Sequence, residues 1–179
     1  MPRIDIGELI MMQILLLGLF PAAMAFAAAS DLLTMTISNR LSLALVFGFF
    51  LAAFLIGMPY VEIGWHVIAA LTVLAAAFAC FSFGWIGGGD AKLAAATALW
   101  FGFSHLADYL LLGAIFGGVL TLVILGVRRW PLPAMFACQP WIARLHEMNE
   151  GIPYGIALAI AGLMIYPETE FIRALAVGH

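Results

Sequence analysis

The feature that most constrains this chain is a succession of long apolar runs with almost no charge inside them. Six runs can be distinguished: Leu9–Ala29, Leu41–Gly57, Trp65–Phe83, Ala91–Phe103, Leu106–Val127 and Ile152–Tyr166. The hydrocarbon core of a bilayer is about 30 Å thick and takes about 20 helical residues. We therefore predict an all-α, polytopic membrane protein with about six transmembrane helices. The fourth run is the shortest, and it could extend through its Gly-Phe-Ser-His end into the fifth.

The composition excludes several other classes of protein. Of 179 residues, 65% are hydrophobic and 9% charged, against about 25% charged in a soluble domain. A soluble globular domain and a disordered chain are both excluded, and a net charge of -3 argues against a nucleic-acid partner. Cys80 and Cys138 lie far apart, so neither a disulfide framework nor a zinc site is expected. The length predicts a single membrane-embedded domain, residues 1–179, surrounded by lipid.

The distribution of lysine and arginine predicts the orientation. With six spans, the first, third and fifth loops share one side of the membrane. That side carries Arg40, Lys92, Arg128, Arg129 and Arg144, whereas the other carries Arg3 and Arg173 in the tails. Basic loops favour the cytoplasm, so these three loops are expected there. The fifth loop, about Arg128–Gly151, is the longest, and we expect it to contain an interfacial helix.

Two acidic residues lie where charge is expensive. Asp31 ends the first run, and Asp90 follows three glycines, Gly87–Gly89, before the fourth. The predicted orientation puts both at the cytoplasmic membrane face, where an ionisable residue is a functional candidate. The structural alternative is a cap, since Asp90 can cap a helix that begins at Ala91. Successive glycines weaken a helix, but they permit positive φ and the close approach of another chain.

A pair of carboxylates at one site favours acid–base chemistry. The two groups cannot both ionise cheaply, so one of them holds a proton. The ionised carboxylate can take a proton from water while the protonated one polarises a peptide carbonyl, as in aspartyl proteases. Because the pair titrates as a unit, neither role is assigned to Asp31 or to Asp90.

Three sequence elements resemble the type IV prepilin peptidase family. Gly87-Gly88-Gly89-Asp90 resembles its G-x-G-D motif, which presenilin-type proteases share. Asp31, with Asn39 eight residues later, resembles the first catalytic aspartate and a downstream I-P-N element. Pro153-Tyr154-Gly155 resembles a further signature at the last span. The resemblance covers essentially the whole chain and is nearest to the short, CpaA-like branch that serves Flp/Tad-type pili.

The resemblance implies a GxGD aspartyl protease fold and a specific activity. Such enzymes remove the short basic leader of prepilins, cutting after a glycine at the cytoplasmic face of the bacterial inner membrane. Asp31 and Asp90 would be the catalytic pair. The residues that would shape the substrate site are Gly87, Gly88, Gly89, Lys92, Asn39, Pro153, Tyr154 and Gly155. The prepilin's apolar helix would enter through a lateral opening among the spans. No metal or cofactor is expected, because the zinc-binding loop of longer relatives is absent.

Some features depart from the family pattern or leave alternatives open. Ser38 stands where the family usually has proline. Lys92 is two residues from Asp90, which places it on another face of a regular helix. Either its side chain extends to the membrane surface, or its charge acts on the pair of aspartates or on the substrate. Other functions remain open: a proton- or cation-coupled transport subunit, a non-catalytic assembly factor of a pilus or secretion system, or a presenilin-like protease with deeper acids.

Overall fold

The computed structural model describes residues 6–133, 135, 138–148 and 150–177, with side chains described between residues 17 and 173. Arg3 lies outside this part. The regular secondary structure of the described residues is helical, with no strand, which confirms the all-α prediction. The helices are α1 (Ile6–Thr34), α2 (Asn39–Leu55), α3 (Tyr60–Ser82), α4 (Gly88–Arg128), α5 (Pro140–His146), α6 (Tyr154–Ile165) and α7 (Glu170–Val177), with a 3-10 turn at Tyr166–Glu168 before α7.

Helix α4 contains the fourth and fifth predicted spans, joined by one residue. Its 41 residues would extend about 62 Å if straight, twice the thickness of the hydrocarbon core. The helix breaks at Gly102, where φ is 55° and ψ is -167°, a conformation that suits glycine. Asp90 and Arg128, near its two ends, line the same cavity. Helix α4 is therefore a hairpin with a first arm, residues 88–101, and a second arm, residues 103–128.

The number of apolar helical segments equals the predicted number of spans. Four described helical segments are long and apolar enough to cross a membrane, and α2 is a shorter apolar helix. One of the four is α4, whose two arms count separately, so the total is six. The first predicted span ended at Ala29, but α1 continues to Thr34. Asp31 therefore lies inside the last turn of α1 rather than after it.

The first arm of α4 is the central helix of the bundle. Its residues from Leu93 to Phe101 are all buried. Near its end, Trp100 donates a hydrogen bond from Nε1 to the carbonyl of Leu45 at 3.0 Å. The rings around Trp100 come from α1, α2, the 3-10 turn and α7, with centroid distances of 5.2 Å to Phe20 and 5.1 Å to Phe171. This packing holds the arm that carries Asp90 at its start.

A histidine on α3 supports the turn at Gly102. A helix end leaves carbonyl groups without helical partners, and the Nδ1 atom of His66 lies 2.7 Å from the carbonyl oxygen of Leu99. The His66 ring also stacks on Phe49, with centroids 5.3 Å apart. A Cβ at position 102 would lie 2.9 Å from Nε2 of this ring. His66 thus has a structural partner, and glycine at 102 is required by both space and backbone conformation.

Candidate active site

The first, third and fifth loops meet at one end of the bundle, as predicted. There a cavity of about 560 Å³ is lined by residues from four helix ends. Asp31 comes from the last turn of α1 and Asp90 from the first turn of α4. Arg128 ends the second arm, and Tyr154 begins α6. The structure therefore brings the two aspartates to one site, although they are far apart in the sequence.

Asp31 is held by the start of α6. Only 5% of the residue is exposed, and its Oδ2 accepts a hydrogen bond from the backbone N–H of Gly155 at 2.7 Å. The first N–H groups of a helix lack helical partners and lie at the positive end of its dipole, so they favour a carboxylate. A Cβ at position 155 would lie 2.8 Å from Oδ2 and 2.7 Å from Cδ1 of Ile37. Only glycine allows this backbone to approach Asp31.

Asp90 occupies the third position of α4, whose N-cap residue is Gly87. The proposed cap at a helix beginning at Ala91 is therefore not what the structure contains. Instead, the Asp90 carboxyl faces the backbone amide of Gly87. This is one half of a capping box, in which the third helical residue reaches back to the N-cap amide. Asp90 is less buried than Asp31, so the pair has one enclosed member and one more open member.

The three glycines before Asp90 do not adopt positive φ, and two of them, Gly88 and Gly89, pack closely on other segments. The positive-φ glycine of this loop is Gly84, at 74°, so the positive φ that glycine permits is not used at Gly87–Gly89. A Cβ at Gly89 would lie 3.2 Å from Cβ of Ile37, and one at Gly88 would touch the ring of Phe81 at 3.4 Å. The close approach that was expected for another chain is taken up here by the first loop and α3. Gly87 lines the cavity.

Lys92 and Asn39 form a separate polar pair. The Nζ atom of Lys92 donates a hydrogen bond to Oδ1 of Asn39 at 2.8 Å. Both residues line an apolar groove of about 530 Å³ among α2, α3 and the first arm of α4, rather than the cavity of the two aspartates. The structure thus separates them from the carboxylates, as the two-residue spacing between Asp90 and Lys92 predicts for a helix.

The Pro153-Tyr154-Gly155 element lies at the start of α6, beside the cavity. Pro153 is fully buried, Tyr154 lines the cavity, and Gly155 contacts Asp31. The ring of Tyr154 packs directly on Gly117 of the second arm, where a Cβ would have no room. Helix α6 is therefore fitted closely between Asp31 and the second arm of α4.

Arg128 belongs to this site but was considered only for orientation in the sequence analysis. The residue is 8% exposed and lines the same cavity as the aspartates. Its position at the end of an apolar run was the available signal, because a charge there must be satisfied at the membrane boundary. The sequence pattern could not show which groups would form hydrogen bonds with this charged side chain.

The comparisons with known proteins identify the family. The model of the type IV leader peptidase family matches residues 18–122. The chain belongs to this family. The matched segment includes Asp31, Asp90 and the arms of α4 up to residue 122, but not Arg128 or the Pro153–Gly155 element. Neither the curated proteins nor the solved structures compared with the chain include a match. Family membership confirms the resemblance to this family, without distinguishing its CpaA-like branch, and makes the chain a multi-pass membrane protease of the leader peptidase type.

Proposed function

We propose that this protein is an aspartyl endopeptidase that removes the basic leader of Flp/Tad-type prepilins, cutting after a glycine, with Asp31 and Asp90 as the catalytic pair. The observation that carries the proposal is the meeting of these two carboxyl groups in one cavity at the end of the bundle. The family supports the reaction type. A transport subunit would need its ionisable groups on a pathway through the membrane, whereas both aspartates lie at one end.

In the proposed hydrolysis, the two carboxyl groups share one proton. Two carboxylates in one partly buried cavity repel each other, so one is protonated. The ionised member takes a proton from a water molecule, whose oxygen attacks the scissile carbonyl carbon while the protonated member donates to the carbonyl oxygen. When the C–N bond breaks, a proton passes to the leaving amine and the carboxyl pair returns to its starting state. The Gly155 N–H keeps the Asp31 carboxyl oriented throughout.

The surroundings of the cavity fit a substrate with an apolar helix behind the cleavage site. The groove among α2, α3 and the first arm of α4 is lined almost entirely by apolar side chains. Its polar end is the Lys92–Asn39 pair, and Lys92 lies in the same first turns of α4 as Asp90. We propose that the mature helix docks in this groove from the bilayer while its leader passes Gly87, which lines the cavity, toward the carboxyl pair.

The proposed location is the bacterial inner membrane, with the cavity facing the cytoplasm. The end of the bundle that contains the cavity also carries the basic residues of the first, third and fifth loops. An excess of lysine and arginine on one side favours the cytoplasm for that side. A basic prepilin leader would then meet the carboxyl pair before the rest of the chain crosses the membrane.

The test is cleavage of a Flp-type prepilin co-expressed with the protein in a host without its own prepilin peptidase. We expect the wild type to remove the leader, as measured by the mass of the product. Asp31→Asn and Asp90→Asn should each abolish cleavage while remaining helical and membrane-inserted. Asp108→Asn is the matched control, because Asp108 is an exposed aspartate on the second arm of α4. Cleavage by either purified Asn variant, or none by the inserted wild type with several prepilins, would overturn the proposal.

A further inference from the structure

Arg128 is a buried cation whose hydrogen bonds to the described residues all go to backbone carbonyl groups. Its Nε donates to Leu145 at 2.7 Å, and its Nη2 donates to Glu150 and Gly151 at 3.1 Å each. An arginine side chain stays charged in a protein, so a buried guanidinium needs such acceptors. The planar fork of donors allows one side chain to hold two separate points of the chain. Arg128 thus clamps the fifth loop at both of these points.

The first point of the clamp is the end of α5. Leu145 lies in the last turn of this helix, where carbonyl groups lack helical partners and the dipole is negative. A cation suits this position. Helix α5 is also attached to α1, because Nη1 of Arg144 donates to the carbonyl of Leu33 at 3.2 Å. Leu33 follows Asp31 by two residues, so the clamped helix lies against the turn that carries this aspartate.

The second point of the clamp leads directly into α6. Gly151 is followed by Ile152 and by Pro153, whose ring fixes φ and whose side chain is fully buried. The next residues are Tyr154 and Gly155, which donates its N–H to Asp31. The segment between the guanidinium and this donor is therefore short and stiff. A displacement of Gly151 would be passed on to the hydrogen bond that orients the Asp31 carboxyl.

We propose that Arg128 is a positioning residue of the active site, which sets the orientation of the Asp31 carboxyl by clamping the fifth loop at the end of α5 and just before the start of α6. The expected effect of Arg128 on prepilin cleavage rests on the proposed peptidase function. The expected effect on the structure of the fifth loop does not. Arg128 does not need to touch the substrate in this role. Its effect is on how often the carboxyl pair has the geometry that the reaction requires.

The test compares Arg128→Met and Arg128→Lys with Arg129→Met. Arg129 is the adjacent, exposed arginine, so its replacement removes the same charge from the same loop without removing the clamp. Misplacing a reacting group by about 1 Å can lower a rate by about 100-fold. We expect kcat for prepilin cleavage to fall by about 100-fold in Arg128→Met and by about 10-fold in Arg128→Lys, which keeps the charge but not the fork. KM should stay near the wild-type value, and Arg129→Met should behave as wild type.

A second measurement does not depend on peptidase activity. Hydrogen exchange followed by mass spectrometry reports the protection of backbone amides, including that of Gly155. We expect peptides from residues 141–156 to exchange faster in Arg128→Met, to an intermediate extent in Arg128→Lys, and as wild type in Arg129→Met. Peptides from the first arm of α4 should be unchanged, which shows that the variants are folded.

The outcomes separate this inference from the proposed function. If the wild type does not cleave prepilins, the proposed function fails, while the exchange data still test the clamp. Unchanged exchange in Arg128→Met would overturn the clamp whatever the activity. Faster exchange with a wild-type kcat would overturn the positioning role. Equal changes in Arg128→Met and Arg129→Met would attribute the effect to charge alone and would also overturn it.

Discussion

The contact between α6 and Asp31 can be tested by adding a single methyl group. In Gly155→Ala, the new Cβ would lie 2.8 Å from Oδ2 of Asp31 and 2.7 Å from Cδ1 of Ile37, whereas ordinary contacts begin at 3.4 Å. Either the carboxyl group or the start of α6 must therefore move by more than half an ångström, because 3.4 - 2.8 = 0.6 Å. The hydrogen bond of 2.7 Å between the Gly155 N–H and Asp31 would be stretched or lost.

The expected effect on stability is small because two contributions oppose each other. Alanine is favoured over glycine in a helix by about 1 kcal/mol, and overpacking a filled site costs about 1–3 kcal/mol. The free energy of unfolding should therefore fall by roughly 0–2 kcal/mol. The effect on catalysis is larger, since a misplacement approaching 1 Å can cost about 100-fold in rate. We expect kcat for prepilin cleavage to fall by about 10- to 100-fold.

The assay is the initial rate of leader removal by purified enzyme over a range of prepilin concentrations, with the product identified by its mass. Gly118→Ala is the matched control, because it is the same substitution inside a helix, outside the cavity, and a Cβ there would meet no atom within 4 Å. Circular dichroism should show the same helix content for the wild type and both variants. A wild-type kcat in Gly155→Ala would refute the argument, and so would an equal loss in Gly118→Ala.

The remaining predictions concern close packing at a glycine and two buried tyrosine hydroxyl groups. Gly117→Ala should lower kcat/KM for prepilin cleavage at least several-fold, because the ring of Tyr154 lies directly against Gly117. Gly118→Ala should be neutral, since no atom lies within 4 Å of its added Cβ. Equal effects of the two substitutions on cleavage would contradict this prediction. Tyr166→Phe should lower the free energy of unfolding by about 1 kcal/mol, because its hydroxyl donates to a carbonyl of α1 at 3.0 Å. Tyr109→Phe should cost less, because the buried Tyr109 hydroxyl has only the side chain of Thr97 beside it and makes no well-formed hydrogen bond to the described residues. Thermal unfolding of both variants in one detergent compares them, and a larger loss in Tyr109→Phe would oppose this reasoning.

Much of the architecture could be predicted from the sequence because it depends on local properties. In a bilayer, each spanning segment must satisfy its own backbone hydrogen bonds, so long apolar runs become helices. Charges are rare in such segments, and Asp31 and Asp90 were therefore visible as candidates without any knowledge of contacts. The order of basic loops along the chain also predicted that these two residues lie at the same end of the bundle.

The relations between distant residues were decided by the tertiary structure. The sequence left open whether the fourth and fifth runs are separate, and the turn at Gly102 separates them within one helix. It could not predict that Lys92 pairs with Asn39, or that Arg128 is buried under the fifth loop.

The contact of Gly155 with Asp31 illustrates the physical reason. The sequence alone determined which segments are helices and where charge is unusual, because hydropathy and backbone hydrogen bonding act within a segment. Which donor meets Asp31 depends instead on how closely α1 and α6 approach, and the missing Cβ of Gly155 permits that approach. Such a contact joins residues far apart in the chain, so its energy depends on the packing of the whole bundle and has no counterpart in any local pattern.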